Sequence, residues 1–292
     1  MLVRKEGLNR EKRKKTINYR GTLVSLDTPL VMGILNVTPD SFYDGGRYRS
    51  EEEMEKQIAK MVTEGADIID VGAYSSRPGA DDIEAELELE RMIPAIKLLR
   101  NQFPDVMISI DTFRSSVARK IVEECGECII NDISGGALDD HMFETVADLR
   151  VPYIMMHMKG TPQNMQQEPS YENIVREMCV YFSERVNQLH RLGVSDVILD
   201  PGFGFAKTLD HNYELMNNLD AFDVFRLPIL AGVSRKSMIY RLLGSEPSES
   251  LNGTTVLNTM ALLGGADILR VHDVREAVEA VKIVEKLKSS VI

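Results

Sequence analysis

Residues 31–46 read VMGILNVTPDSFYDGG, and the pattern of this stretch is the basis of the fold prediction. Its first five residues are apolar or glycine, which is typical of a short strand buried on both faces. Asn36 ends the apolar run, and the Thr-Pro-Asp and Asp-Gly-Gly sequences that follow favour turns. The stretch therefore predicts a buried strand that delivers a polar loop, and loops of this kind carry function more often than cores do.

The same pattern recurs along the chain. Apolar runs predict strands at residues 31–35, 67–71, 106–110, 128–132, 152–156, 197–199, 228–232 and 268–271. Amphipathic stretches between them predict helices at 50–64, 83–100, 115–124, 140–149, 171–192, 211–219, 251–263 and 274–288. Such alternation requires parallel pairing, so the sequence predicts an α/β fold, a single (β/α)8 TIM barrel.

The N-terminal region differs from the rest in composition. Residues 1–20 are rich in Lys, Arg and Glu without apolar periodicity, so we expect a mobile basic arm. Residues 22–29 are predicted to form a small hairpin that closes one end of the core. We expect residues 21–292 to form one barrel domain, because no Ser, Gly or Pro-rich linker divides them.

Composition excludes several classes of protein. The net charge is −11, and the basic residues form no folded-domain patch, which argues against nucleic acid as a partner. No apolar stretch is long enough to span a membrane, and no signal-peptide core follows the N-terminal charges, so a cytoplasmic protein is expected. The three cysteines fit a reducing compartment, and the Cys125-Gly-Glu-Cys128 sequence is interpreted as an inert helix-to-strand connection.

Polar residues stand at the end of nearly every predicted strand. A barrel carries its chemistry on the loops after its strands, so these residues are expected to converge on one mouth. A single strand-end Asp often only caps the next helix, but the whole set together indicates a ligand. The set comprises Asn36, residues 75–79, Asp111, Asn131, Asp132, His157, Asp200, residues 234–237, Arg270 and His272.

The chemistry of this set, together with the acids Asp40 and Asp44 of the loop after Asn36, indicates three kinds of ligand. Cations gathered in an acidic protein favour phosphate or pyrophosphate; they are Arg77, Arg235, Lys236, Arg270 and His272. Asp111, Asn131 and Asp200 suit the N–H edge of a heterocycle such as a pterin. Asn36, Asp40 and Asp44 offer hard oxygen ligands for a Mg²⁺ held mainly by pyrophosphate and water, although the two acids also fit a purely turn-forming role.

The order Asn36-Val-Thr-Pro-Asp-Ser-Phe-Tyr-Asp-Gly-Gly resembles the first signature of the dihydropteroate synthase family. The resemblance runs from about residue 22 to the C-terminus, with signatures at 33–46, 65–80, 200–205, 234–238 and 268–273. The family implies a folate-pathway transferase, a sulfonamide target, that joins a dihydropterin to para-aminobenzoate and releases pyrophosphate. Where many members carry Gly-Glu-Ser-Thr-Arg-Pro, this chain has Ala73-Tyr-Ser-Ser-Arg-Pro78, which leaves the detail of that loop in question.

The resemblance also implies roles for individual residues. The pterin would be held by Asp111, Asn131, Met156, Asp200 and Lys236. The pyrophosphate would be held by Asn36, Arg77, Arg270 and His272, with Asn36 as the Mg²⁺ ligand. The para-aminobenzoate subsite would comprise Phe42, Ser76, Pro78, Arg235 and Ser237. The residues expected to carry catalysis are Asn36, Asp44, Arg77, Asp111, Asp200, Lys236 and Arg270. The family also implies a homodimer, formed through the C-terminal helices.

Three alternatives compete with this function. A pterin-binding barrel that passes a methyl group from methyltetrahydrofolate to a corrinoid shares the Asp and Asn residues but does not need the cations Arg77, Arg235 and Arg270. A non-catalytic pterin-binding protein would have lost part of the set. A sugar-phosphate isomerase remains by fold analogy alone. No nucleophile paired with a base is evident, so dissociative rather than covalent chemistry is expected.

Overall fold

The barrel is built from parallel strands, as the alternating pattern predicts. The structure, a computed structural model, describes residues 15–37, 47–74, 83–160 and 170–290. Its barrel strands are β3 (Leu30–Asn36), β4 (Ile68–Gly72), β5 (Met107–Asp111), β6 (Ile129–Asp132), β7 (Tyr153–Met156), β8 (Val197–Asp200), β9 (Leu230–Ala231) and β10 (Ile268–Val271). The predicted TIM barrel is confirmed, with β9 shorter than expected.

Strand pairing runs almost completely around the barrel. The order is β8-β7-β6-β5-β4-β3-β10-β9, so the first barrel strand pairs with the last. A single parallel bridge between Leu199 and Ile229 closes the remaining gap, where Leu199 N donates to Pro228 O at 2.9 Å. The shortness of β9 limits this seam to one bridge.

Helices cover the outside of the barrel. They are α1 (Arg47–Glu64), α2 (Ala85–Gln102), α3 (Ser115–Cys125), α4 (Met142–Leu149), α5 (Ile174–Arg191), α6 (Leu209–Asn217), α7 (Ser237–Leu243), α8 (Leu251–Gly264) and α9 (Val274–Ser289). Helix α7 and two 3-10 turns, Leu219–Phe225 and Pro247–Glu249, were not predicted, because each is too short to show a clear period. A membrane-spanning helix, one both long and apolar enough, is absent from the described part of the chain.

The side chains of each barrel strand alternate between two environments. One set packs under the helices in a large cluster that includes Ile69, Ile108 and Leu269. The other set forms a second cluster inside the barrel, with Met32, Ile68, Met107, Ile129, Ile154, Ile198, Leu230 and Ile268. Since successive inward positions are two residues apart, the next inward layer contains Asp70, Ser109, Asn131, Met156, Asp200 and Arg270. An apolar floor therefore lies beneath a polar layer.

A hairpin closes the N-terminal end of the barrel, but it begins earlier than predicted. Strands β1 (Thr16–Tyr19) and β2 (Thr22–Ser25) pair antiparallel. Residues 16–20 therefore do not belong to a mobile arm, because Ile17 and Tyr19 pack into the inner apolar cluster. Tyr19 Oη accepts a hydrogen bond from Ile108 N at 3.0 Å, which anchors the hairpin to β5. Residues 1–14 of the predicted arm lie outside the described residues.

The cysteines form no disulfide. Cys125, Cys128 and Cys179 are all free. Cys128 is buried, and burial raises the pKa of its thiol to about 12. The Cys-x-x-Cys sequence does form a helix-to-strand connection, since Cys125 ends α3 and Cys128 directly precedes β6. That the pair is inert stays a prediction.

Candidate active site

The predicted strand-end residues meet at the C-terminal mouth of the barrel. Asn36, Asp111, Met156 and Asp200 are the last residues of β3, β5, β7 and β8, and Lys236 directly precedes α7. Parallel strands of one barrel end at the same side, so these side chains share that mouth. The predicted site residues Phe42, Asp44, Ser76, Arg77 and Pro78, together with Asp40, lie outside the described residues.

Arg270 bridges two acidic side chains at this mouth. Its Nε donates to Asp70 Oδ2 at 2.7 Å, and its Nη2 donates to Asp111 Oδ2 at 2.8 Å. Asn131 Nδ2 donates to the same oxygen of Asp70 at 3.0 Å. Burial alone would lower the pKa of Arg270, but the two carboxylates raise it above its ordinary value, so the guanidinium stays charged. Four strands are thus joined by one charge-assisted network.

Asp111 is the group of this network that titrates near neutral pH. Burial raises the pKa of Asp111 to about 7. The positive charge of Arg270 opposes this rise, whereas the negative charges of Asp70, Glu88 and Asp132 add to it. The carboxyl is therefore close to its midpoint at neutral pH, and a ligand that donates a hydrogen bond to it will favour the ionised form.

A second charged pair lies across the mouth. Burial raises the pKa of Asp200, although the charge of Lys236 and the N–H of Gly202, which donates to Oδ1 at 2.7 Å, oppose the rise. Burial lowers the pKa of Lys236 to about 8, again opposed by its partner. The Lys236 ammonium donates to Phe203 O and lies 4.2 Å from the centroid of the Phe205 ring.

An apolar wall adjoins these polar groups. Met156 belongs to a small cluster with Ile133, Met158 and Ala206, and the rings of Phe113 and Phe205 pack against it. Asn131, Met156 and Asp200 are all buried. A flat ring that presents a polar edge to the carboxylates and an apolar face to this wall would satisfy both surfaces.

His272 is not the cation that the sequence suggested. Desolvation lowers its pKa, and the nearby charges of Arg270 and Arg235 lower it further, so the ring is neutral at neutral pH. Ser234 Oγ accepts from the His272 backbone N–H at 3.1 Å and lies 3.0 Å from Nδ1. Ser234 Oγ accepts that backbone hydrogen bond and still has its own hydroxyl hydrogen, which it can donate to Nδ1. Nε2–H is then left as a neutral donor at the mouth.

Arg235 and Ser237 flank the mouth at the start of α7. The Arg235 guanidinium pairs with Asp273 through Nε at 3.0 Å and Nη2 at 2.5 Å. Its backbone N–H donates to Thr254 Oγ1 at 3.1 Å, and its φ of 55° is left-handed. The side chain is 39% exposed, so Arg235 lies at the rim rather than within the central network.

The described residues contain no ready-made metal site. Among them, no group of three or more His, Cys, Asp and Glu side chains is placed to hold an ion. Asn36 is exposed at the end of β3 and offers one amide oxygen. A single hard oxygen suits an ion whose other ligands come from phosphate and water, as is usual for Mg²⁺.

Comparison with known proteins identifies the family. Residues 32–272 match the model of a family described as pterin binding enzymes. The dihydropteroate synthase of Escherichia coli K12 is 44% identical over 277 residues, which cover 93% of this chain and 96% of that protein. The chain belongs to the dihydropteroate synthase family. The resemblance carried by the loop after Asn36 is thereby confirmed.

Solved dihydropteroate synthases share the fold over nearly the whole chain. The Yersinia pestis enzyme, in a complex with a sulfonamide drug, superposes with a TM-score of 0.88 at 38% identity, covering 94% of this chain and 100% of that one. The Xanthomonas albilineans enzyme with 4-aminobenzoic acid also gives a TM-score of 0.88, at 37% identity over 95% of this chain and 99% of that one. The chain is thus a transferase by family.

Two buried charged residues beside this mouth, Asp70 and Lys207, were not predicted from the sequence of this dihydropteroate synthase family member. Asp70 is completely buried inside β4, so it does not stand at a strand end. Lys207 is 5% exposed, and its ammonium donates to Gly202 O at 2.9 Å and to Phe205 O at 3.0 Å, which fixes the loop after Asp200. An acid within an apolar strand was the available signal for Asp70. A lysine in a loop gives no such signal, since most lysine side chains are exposed.

Proposed function

We propose that this protein transfers the methylene group of dihydropterin pyrophosphate to the amine of para-aminobenzoate, forming dihydropteroate and releasing pyrophosphate. The observation that carries the proposal is the Arg270 network. One guanidinium, held by Asp70 and Asp111, lies between acceptors suited to a pterin edge and the rim where an anion can enter. A pterin pyrophosphate has both an N–H edge and a polyanionic group.

The pterin ring is assigned to the polar layer and the apolar wall beside it. Asp111, Asn131 and Asp200 are acceptors for ring N–H groups, and Met156 offers an apolar face. Lys236, which lies near Asp200, can donate to a ring acceptor. The buried carboxylates would gain a partner that offsets the cost of their desolvation, which favours the ionised form of each.

The proposed chemistry breaks the carbon–oxygen bond before the new bond forms. Electrons from the ring nitrogen move toward the methylene as the oxygen leaves with the bonding pair, which produces a cationic pterin. Asp111 and Asp200 offset that charge, while Asn36, Arg77, Arg270 and neutral His272 bind the departing pyrophosphate. The amine nitrogen then forms the carbon–nitrogen bond and loses a proton. That proton is acidic enough to need no dedicated protein base.

Mg²⁺ is the cofactor we propose, with Asn36 as its protein ligand. Bound Mg²⁺ would neutralise the charge that develops on the leaving pyrophosphate. The single exposed amide oxygen of Asn36 fits an ion that keeps most of its shell from phosphate and water. Asp44, outside the described residues, is assigned to the loop that excludes water during the reaction.

Para-aminobenzoate is assigned to the rim of the mouth. Arg235 and Ser237 lie at the start of α7, where a carboxylate can meet a guanidinium and a hydroxyl. Phe42, Ser76 and Pro78 of the first and second loops complete the proposed subsite, and these three lie outside the described residues. Sulfonamides, which share the aniline group and an acidic para substituent, are proposed to compete there.

A homodimer through the C-terminal helices is also proposed. On α8, Val256, Met260 and Leu263 are 51%, 45% and 42% exposed, and their spacing puts them on one helical face. Such an apolar face marks an interaction surface. The three free cysteines support a reducing compartment, and we propose the cytoplasm.

The decisive experiment is product formation. The protein mixed with dihydropterin pyrophosphate, para-aminobenzoate and Mg²⁺ should form dihydropteroate and pyrophosphate in equal amounts. The Asp200→Asn variant, which keeps the volume of the side chain, serves as the matched low-activity control. Absence of product, together with methyl transfer from methyltetrahydrofolate to a corrinoid, would favour the rival activity.

A further inference from the structure

Asp70 is the acid in the polar layer to which the function assigns no ligand. Its side chain is completely buried in β4. Both hydrogen bonds that reach it end on one oxygen, Oδ2, which accepts from Arg270 Nε and from Asn131 Nδ2. Within the described residues its other oxygen, Oδ1, has no hydrogen-bond partner. A charge buried at such cost is usually retained for what it holds in place.

The two groups that Asp70 holds belong to different halves of the proposed site. Arg270 is assigned to the pyrophosphate, whereas Asn131 is assigned to the pterin ring. With Nδ2 bonded to Asp70, Asn131 has its carbonyl oxygen left to accept from a ring N–H. With Nε bonded to Asp70 and Nη2 bonded to Asp111, Arg270 has Nη1 left for an anion.

We infer that Asp70 is a positioning residue that orients Arg270 and Asn131 together. It thereby fixes the position of the pyrophosphate subsite relative to the pterin subsite. This inference rests on the proposed function. Asp70 touches neither substrate in this scheme and acts through its two neighbours. Removing its charge should therefore loosen both halves of the site at once.

The structure supplies a matched control. Ser109 on β5 is the register partner of Asp70, is also completely buried, and has an Oγ without a hydrogen-bond partner among the described residues. Ser109→Ala changes the same layer without touching the network. Asp70→Asn keeps the shape of the side chain and one acceptor oxygen but removes the negative charge, so the donors of Arg270 and Asn131 lose their charged acceptor.

The expected result is a loss of substrate binding without loss of fold. Asp70→Asn should raise KM for dihydropterin pyrophosphate and weaken the affinity for a simple pterin, each by about tenfold, as expected for one charge-assisted hydrogen bond. Ser109→Ala should match the wild type in both. A wild-type KM and pterin affinity in a folded Asp70→Asn protein would overturn the inference. The inference would also be overturned if the only change in the variant were a lower melting temperature.

A pH profile separates positioning from a purely structural role. The charge of Asp70 contributes to the raised pKa of Asp111. The charged groups that act on or respond to Asp111 are Arg270 on β10, Asp70 on β4, Glu88 on α2, Asp132 on β6 and Lys236 before α7. Asp70→Asn should lower the pH below which pterin affinity falls, since Asp111 loses a neighbouring negative charge. At higher pH, where Asp111 is ionised in both proteins, the variant should still bind the pterin about tenfold more weakly. Wild-type affinity at that higher pH would contradict the inference.

A second pair of variants covers failure of Asp70→Asn to fold. Asp70→Asn in an Arg270→Met background removes both charges of the buried pair, which avoids an unpaired guanidinium. Compared with Arg270→Met alone, the double variant should still bind a simple pterin about tenfold more weakly, since the hydrogen bond that orients Asn131 loses its charged acceptor. Equal affinity would overturn the inference. Failure of the wild-type protein to turn over would instead contradict the proposed function.

Discussion

Arg270 Nη2 donates to Asp111 Oδ2 at 2.8 Å, although the two residues are 159 positions apart in sequence. The contact ties the only strongly basic group of the described strands to the acid with a pKa of about 7. A ligand at the pterin edge and an anion at the rim therefore act on the same pair of charges.

The first prediction concerns pH. The pKa of Asp111 is about 7 in the free protein, so the carboxyl is protonated below that value and ionised above it. A pterin that donates to the carboxylate binds the ionised form, so affinity should fall by up to about tenfold per pH unit below the pKa. Calorimetric titration with a simple pterin over a pH series measures this. Asp111→Asn should bind the pterin more weakly, and its affinity should not show this fall at low pH. If the pH dependence of affinity in that variant matched the wild type, the assignment of Asp111 would be contradicted.

The second prediction concerns Lys236 and Asp200. Lys236→Ala and Asp200→Asn should each weaken simple pterin binding by about 10- to 100-fold, because both are proposed to contact the ring before any bond breaks. Turnover should fall with affinity. Calorimetry measures the binding, and Asp220→Asn on the distant 3-10 turn is the control. Unchanged affinity in both site variants would remove these residues from the ring subsite.

The third prediction concerns the order of bond breaking. Pyrophosphate should be released slowly from dihydropterin pyrophosphate in the absence of para-aminobenzoate, and release should stop when Mg²⁺ is chelated. Arg270→Ala should slow this partial reaction and the full reaction equally, by at least about 100-fold, since Arg270 acts on leaving-group departure. Single-turnover measurement of pyrophosphate gives the rates. Strict dependence on the amine, above the uncatalysed background, would indicate concerted displacement.

The fourth prediction concerns the rim. Arg235→Ala and Ser237→Ala should raise KM for para-aminobenzoate and the inhibition constant of a sulfonamide by about tenfold, because each removes a partner of the acidic group. Pterin affinity should be nearly unchanged, and Asp273→Asn, which frees Arg235 from its ion pair, tests whether that pair limits the subsite. Inhibition that competes with the pterin substrate alone would show that the subsite is misassigned.

The fifth prediction concerns assembly. Val256→Glu with Met260→Glu should convert a dimer to a monomer, because two charges would be buried in the proposed interface. Light scattering after size-exclusion chromatography measures the mass. Val224→Glu, at a residue 71% exposed on a 3-10 turn, is the control and should leave the mass unchanged. A monomeric wild-type protein would contradict the proposed dimer.

The fold and the strand-end residues were readable from sequence for one physical reason. Strands buried on both faces are mainly apolar, so a polar residue such as Asp111 or Asp200 stands out where the strand ends. The C-terminal ends of parallel strands then share one mouth, which places Asn36 near the same opening.

Other features depend on neighbours that the sequence does not reveal. Whether His272 is charged depends on the surrounding desolvation and on Arg270 and Arg235, from other parts of the site. Lys207 is buried only because the loop after Asp200 folds over it. The hairpin strand at residues 16–19 was hidden by the charged residues before it, although Ile17 and Tyr19 already alternate with polar neighbours.

The pairing of the first barrel strand with the last has a consequence for synthesis of the chain. Asp70 meets Arg270 only after 200 further residues have been made, and β10 must dock between β3 and β9 for the contact to form. Contacts this distant in sequence form late, because the loop they close is long. A chain still emerging from the ribosome therefore holds its buried acid without its guanidinium partner, and only the finished barrel can be stabilised by its ligand.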